Sequence, residues 1–128
     1  MEISVKKAIE VFNNASVFAS KNEKFDYAVK KLGKKLQPGF DKFNDKLEEA
    51  RIDHCSTDEK NNILRDSKNN YIYTKDNLKA LNKKVAVLQE EVIQFEPYFA
   101  VELPEGLTEE QIELFTGILI KPEDTHHE

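Results

Sequence analysis

Residues 36–54 read LQPGFDKFNDKLEEARIDH, and residues 78–95 read LKALNKKVAVLQEEVIQF. In the first stretch Leu36, Phe40, Phe43, Leu47 and Ala50 recur at steps of four and three, with His54 at the end of the series. In the second, Leu78, Leu81, Val85, Leu88, Val92 and Phe95 do the same. That spacing collects apolar side chains into a narrow stripe on a helix. Read in opposite directions the two ladders pair: Leu36 with Phe95, Phe40 with Val92, Phe43 with Leu88, Leu47 with Val85, and Ala50 with Leu81. The pattern predicts an antiparallel helical hairpin and a mainly α fold.

The neighbouring segments extend this frame. Val5, Ala8, Ile9, Phe12, Ala15 and Ala19 share one face of a first helix over residues 4–20. A second helix is expected over 22–52, with Asn22 as its N-cap and Phe25, Ala28 and Leu32 leading into the ladder. Pro38 removes the hydrogen bond to the carbonyl of Lys34, so this helix is expected to kink. It is expected to continue, because the step from Leu36 to Phe40 keeps the apolar phase. Residues 62–65 and 71–74 have strand composition around the polar turn 66–70, which predicts a short β-hairpin over 62–74 at the tip. The third helix is expected over 75–95, ending before Pro97. Thr108-Glu109-Glu110-Gln111 is a capping box, so a capped C-terminal helix is expected over 108–120, with residues 123–128 as a tail. The whole reads as a single helical domain without an internal repeat of fixed period.

Composition narrows the setting. The chain has 128 residues, of which 34% are charged, and no apolar run approaches the ~20 residues of a membrane span. The first residues lack the apolar core of a secretory signal. A lone cysteine, Cys55, excludes an intrachain disulfide, so a reducing interior is expected. The net charge of -5 is unevenly spread. From Ala86 onward there are eleven acidic residues and one lysine, and the first 85 residues carry a positive balance. Such halves attract each other within one molecule or between copies.

No catalytic, cofactor-binding or metal-ligating residue is assigned, and no cofactor is expected. His54 and Cys55 are adjacent, and neighbouring side chains on a helix diverge by about 100°, which disfavours a dyad. The pairs Glu90-Glu91 and Glu109-Glu110 diverge in the same way. His126-His127 reads as an ordinary tail. Four glycines, dispersed through the chain, cannot form a phosphate loop. Lys24, Lys31, Lys35, Lys42 and Lys46 form a row on the second helix, a candidate electrostatic face. A nucleic-acid backbone could follow such a row. The reading as a solvated flank ranks above it, with Glu109, Glu110 and Glu113 as natural partners. Candidate protein-binding residues are Tyr71, Ile72 and Tyr73 at the tip. Tyr98, Phe99, Leu114, Phe115, Ile118, Leu119 and Ile120 form a second candidate surface. The competing reading of that second group is that the first helix and the C-terminal segment close over each other.

The order of these features resembles a known family. The residues that carry the resemblance are Leu32, the step Leu36-Gln37-Pro38, the polar section with its hairpin, the helix ending in Glu90-Glu91-Val92, and Leu107-Thr108-Glu109-Glu110-Gln111-Ile112. In this order they are similar to a family of small tailed-bacteriophage proteins, often encoded among virion structural genes. The resemblance implies a non-enzymatic phage accessory or structural protein acting by protein–protein binding, in the virion or its assembly. Its partners would be another protein, a second copy of this chain or other virion proteins, with no membrane. Its location would be the cytoplasm of the infected host or the virion. A phage-encoded inhibitor of a host protein is the alternative, and nucleic-acid binding ranks last.

Overall fold

The computed structural model describes residues 1–122, so the expected tail at 123–128 lies outside the described residues. Within the described residues the chain divides into two compact units, the first from Met1–Gly39 and the described residues from Val92 onward, the second from Phe40–Glu91.

In unit one, strand β1 (Glu2–Ser4) runs into helix α1 (Val5–Phe18). The Ser4 side chain accepts a hydrogen bond from the Lys7 amide and so satisfies one free donor of the first turn. Helix α2 spans Glu23–His54 and contributes its part up to Gly39 to this unit. Asn22 caps α2, its Oδ1 accepting from the Phe25 amide at 2.9 Å. Pro38 lies inside α2, which continues past it to His54. The core of the unit gathers Ala8, Val11 and Ala15 of α1 with Phe25, Ala28, Leu32 and Leu36 of α2, all buried. Gly33 allows close approach, since a methyl group there would sit 3.1 Å from the ring of Phe12. Gly39 is required more strictly, because a methyl group would meet three side-chain carbons of buried Ile93 at 2.7 Å.

Unit two holds the rest of α2 and helix α3 (Lys75–Gln89), joined by residues 55–74. Phe43 and Ala50 of α2 and Leu81 and Leu88 of α3 are buried, and Leu47 and Val85 are half-buried. Lys46 of α2 meets Glu91, just beyond α3, at 2.9 Å. These residues form the helical hairpin that the ladders predicted, confined to one unit.

The ends of the second ladder depart from expectation. Helix α3 stops at Gln89 instead of 95, where the Glu90 amide turns back on the carbonyls of Val87 and Leu88. The chain then becomes strand β2 (Val92–Gln94), antiparallel to β1, with Ile3 opposite Ile93. Val92 is therefore 59% exposed, and Leu78 at the other end is 44% exposed. The three-and-four spacing persists through this region, and pairing with β1 overrides it. The last helix, α4 (Glu109–Phe115), also ends early. Its capping box forms as the sequence predicts, with Thr108 and Gln111 each accepting from the other's backbone amide. The amides of Ile118, Leu119 and Ile120 then all converge on the Phe115 carbonyl, closing a compact turn in place of further helix.

Candidate functional site

The tip of unit two is built from a short repeat. Asp58-Glu59-Lys60-Asn61-Asn62 and Asp66-Ser67-Lys68-Asn69-Asn70 share the pattern Asp-x-Lys-Asn-Asn, eight residues apart. In the first copy Asp58 Oδ1 accepts from the amides of Lys60 at 2.8 Å and Asn62 at 2.9 Å. In the second, Asp66 Oδ1 accepts from Lys68 at 2.8 Å and Asn70 at 3.0 Å. Asn61 and Asn69 both take left-handed backbone, at φ 64° and 67°. Asparagine tolerates that conformation better than most side chains, which explains its place in the pattern. Antiparallel bridges close the two loops, Thr57 with Ile63 and Arg65 with Tyr71. The expected hairpin at 62–74 thus takes a minimal form, and a fixed-period repeat is present where none was expected.

Three residues at the same spacing tie the loops together. Ser56 N–H donates to the Ile72 carbonyl, Ile72 N–H to that of Leu64, and Leu64 N–H to that of Ser56. The ring satisfies backbone groups that would otherwise need partners. Two residues beyond each member of the ring stands a capping side chain: Asp58, Asp66 and then Thr74. Thr74 accepts from the Asn77 amide and opens α3, so the third copy of the pattern becomes a helix start.

Both aspartates are held below the usual carboxylate range. The chief cause is the backbone amide of Asn62 for Asp58 and of Asn70 for Asp66, with Lys60 and Lys68 adding to it. The turns are therefore braced by ionised carboxylates.

Beside the second loop lies a polar cavity of about 480 Å³, lined by Glu48, Arg51, Arg65, Tyr71 and Tyr73 together with Asn69 and Asn70. Arg51 and Arg65 are the only arginines in the chain. The Arg65 guanidinium lies 4.9 Å from the centre of the Tyr71 ring, a stacking arrangement that restricts both side chains. The Tyr71 hydroxyl donates to Glu48 Oε2 at 2.6 Å, and this bond raises the Tyr71 pKa above its ordinary value. Arg51 sits 3.9 Å from the other oxygen of Glu48. Burial raises the pKa of Tyr73. Leu64 and Ile72, members of the backbone ring, are each 39% exposed.

Tyr71 and Tyr73, flagged by composition, line this cavity, and Ile72 lies beside it. The sequence reading missed Glu48, Arg51 and Arg65. The available signal was the eight-residue repeat, which places Arg65 and Tyr71 on either side of a turn. The second candidate surface does not form as expected. Phe115, Ile118 and Leu119 are fully buried, and Phe115 packs on Phe25 with ring centres 6.2 Å apart. They are core residues that a partner cannot reach, and α1 and α4 make contact as the competing reading had it. Leu114, Ile120 and Phe99 are half-buried. Tyr98 meets Tyr27 edge-on at 5.8 Å and with Val101 lines a shallow groove in unit one.

The lysine row divides. Lys46 pairs with Glu91 and lowers its pKa. Lys31 lies over the Tyr27 ring at 5.6 Å. Lys24 borders the groove near Tyr98. No described ion pair links Lys24, Lys31, Lys35 or Lys42 to Glu109, Glu110 or Glu113. His54 and Cys55 turn away from each other's chemistry. His54 Nδ1 is 2.7 Å from the Ala50 carbonyl, and the buried Cys55 thiol donates to that of Ile52. Among the described residues no helix is long and apolar enough to cross a membrane.

No protein-family model matches the chain, no curated protein is significantly similar to it, and no solved structure matches it significantly.

Proposed function

We propose that this chain is a non-enzymatic binding protein that acts through protein–protein contact, as an accessory or structural component of a phage particle or its assembly. One observation carries the reading. The tip presents arginine, tyrosine and exposed aliphatic side chains on loops whose backbone is already fixed by Asp58, Asp66 and the Ser56–Leu64–Ile72 ring. Tyrosine and arginine dominate the energetics of protein contacts. A surface that is rigid before binding loses little conformational freedom when a partner docks. The sequence resemblance to phage proteins supplies the biological setting.

A photo-reactive side chain placed at Ile72, with one at the exposed Val17 as control, tests the proposal during infection. A discrete adduct with one phage protein at position 72, absent at position 17, is the expected result. Identical patterns at both positions, or none at 72, would remove the tip as a contact surface. A growth defect on expression in uninfected cells, with an adduct to a host protein, would instead favour a host-directed inhibitor.

A further inference from the structure

The geometry points to a carboxylate-binding site in the tip cavity. Arg51 and Arg65 receive the carboxylate of an acidic side chain on a partner protein, and Tyr71 and Tyr73 flank the segment that carries it. The inference rests on the reading of the tip as a contact surface and names what that surface recognises.

The two turns act as a control for each other. Each is pinned by its aspartate and turned by one left-handed asparagine. At the bridge positions the first has Thr57 and Ile63, while the second has Arg65 and Tyr71. Turn geometry therefore does not require an arginine and a tyrosine there. Those two residues are the ones that border the cavity, opposite Arg51 and Tyr73.

The electrostatics favour an anion with planar geometry. The cavity wall carries two guanidinium groups and a single carboxylate, that of Glu48. No described ion pair neutralises Arg65. The guanidinium lies over the Tyr71 ring, 4.9 Å from its centre, and the N–H edge of a guanidinium matches the two oxygens of a carboxylate. Glu48 shows that a carboxylate is accepted here, since it already takes a hydrogen bond from Tyr71. Its contact with Arg51 is long at 3.9 Å, which leaves that arginine able to turn to a second carboxylate. The volume, about 480 Å³, exceeds what one carboxylate fills and accommodates a side chain with its adjoining backbone. The side-chain carboxamides of Asn69 and Asn70, which line the cavity, can pair with that backbone.

The full chain, labelled with nitrogen-15, gives two arginine side-chain Nε–H signals, one for each arginine. These are followed while a six-residue glutamate peptide is added, and in separate titrations glutarate, inorganic phosphate and lactose. Both signals should move saturably with the peptide and far less with the other three. Arg65→Gln should weaken the peptide by about tenfold, the loss of one charged hydrogen-bonding partner. Glu48→Gln should tighten it several-fold, because a competing carboxylate is gone. If Glu48 served only to hold Tyr71, that variant would weaken binding or leave it unchanged. Protection of the Asn70 amide shows that each variant keeps its loop. The inference is overturned by the absence of a saturable response to the peptide, or by equal affinity for glutarate, phosphate or lactose. It is also overturned by unchanged affinity in Arg65→Gln. Adducts at position 72 without any arginine response would reject the carboxylate and leave the contact surface standing. An arginine response without adducts would overturn the assignment to a partner protein.

Discussion

The loop from Thr57 to Ile63 and the loop from Arg65 to Tyr71 have the same backbone and different surfaces. Each is pinned by an aspartate that accepts from two amides, turned by an asparagine at positive φ, and closed by one bridge. What they share is what the turn demands. What differs is free to serve something else: Ser67 stands in place of Glu59, and an arginine and a tyrosine beside a cavity stand in place of Thr57 and Ile63. A duplicated element thus separates what the turn requires from what it leaves free.

The comparison can be broken in four ways. The largest effect belongs to the aspartates. Asp66→Ala should release its loop and abolish the arginine response to the glutamate peptide, whereas Asp58→Ala should release only its own loop and leave the response in place. Amide exchange at Asn62 and Asn70, with the arginine signals, distinguishes the two. Loss of the response in both variants would mean that the loops are not separable. Next come the left-handed residues. Asn61→Val and Asn69→Val should each cost about 1–2 kcal/mol in urea unfolding, and glycine at either position should be nearly neutral. A clear inequality between the two sites would show that the turns are not equivalent.

Acid should loosen both loops together. Asp58 and Asp66 have depressed pKa values in the folded chain. Their contribution is therefore complete above the ordinary carboxylate value of about 3.9 and is lost as pH falls through the lower folded values. Exchange at Lys60, Asn62, Lys68 and Asn70, followed over that interval, should rise in step. Loosening of one loop alone would contradict the shared bracing. The smallest effect is expected from Arg65→Thr combined with Tyr71→Ile, which gives the second loop the bridge residues of the first. The urea midpoint and the protection of Lys68 and Asn70 should hardly change, while peptide binding disappears. A large drop in stability would show that the pair is structural after all.

Much of this architecture was legible because its causes are local. The caps at Asn22 and Thr108 are side chains bonding to amides a few residues away. The ladder positions Phe43, Ala50, Leu81 and Leu88 are buried because a stripe of that width can face only inward. The end of α3 was not legible. Nothing near Val92 breaks the helical period, and its strand exists only because distant β1 pairs with it. Phe115, Ile118 and Leu119 look like a contact surface in sequence because their cover, Phe25 among it, comes from far along the chain. At the candidate site composition pointed to Tyr71 and Tyr73. Arg51 remained hidden, because it reaches the cavity from α2 while Arg65 comes from the loop.

The split between the units also orders events at the ribosome. Unit two is one uninterrupted stretch, Phe40–Glu91, so all of its contacts are available as soon as that stretch emerges. Unit one has to wait, because Ile3 finds its place only when Ile93 arrives. During synthesis β1 lacks its partner strand until Val92–Gln94 is made, while the tip can already assemble. A chain arrested before Val92 would leave Ile3, buried in the finished protein, without the Ile93 that stands opposite it. Chaperones and proteases recognise such exposure. Quality control on this protein would therefore act on β1, far along the chain from the tip.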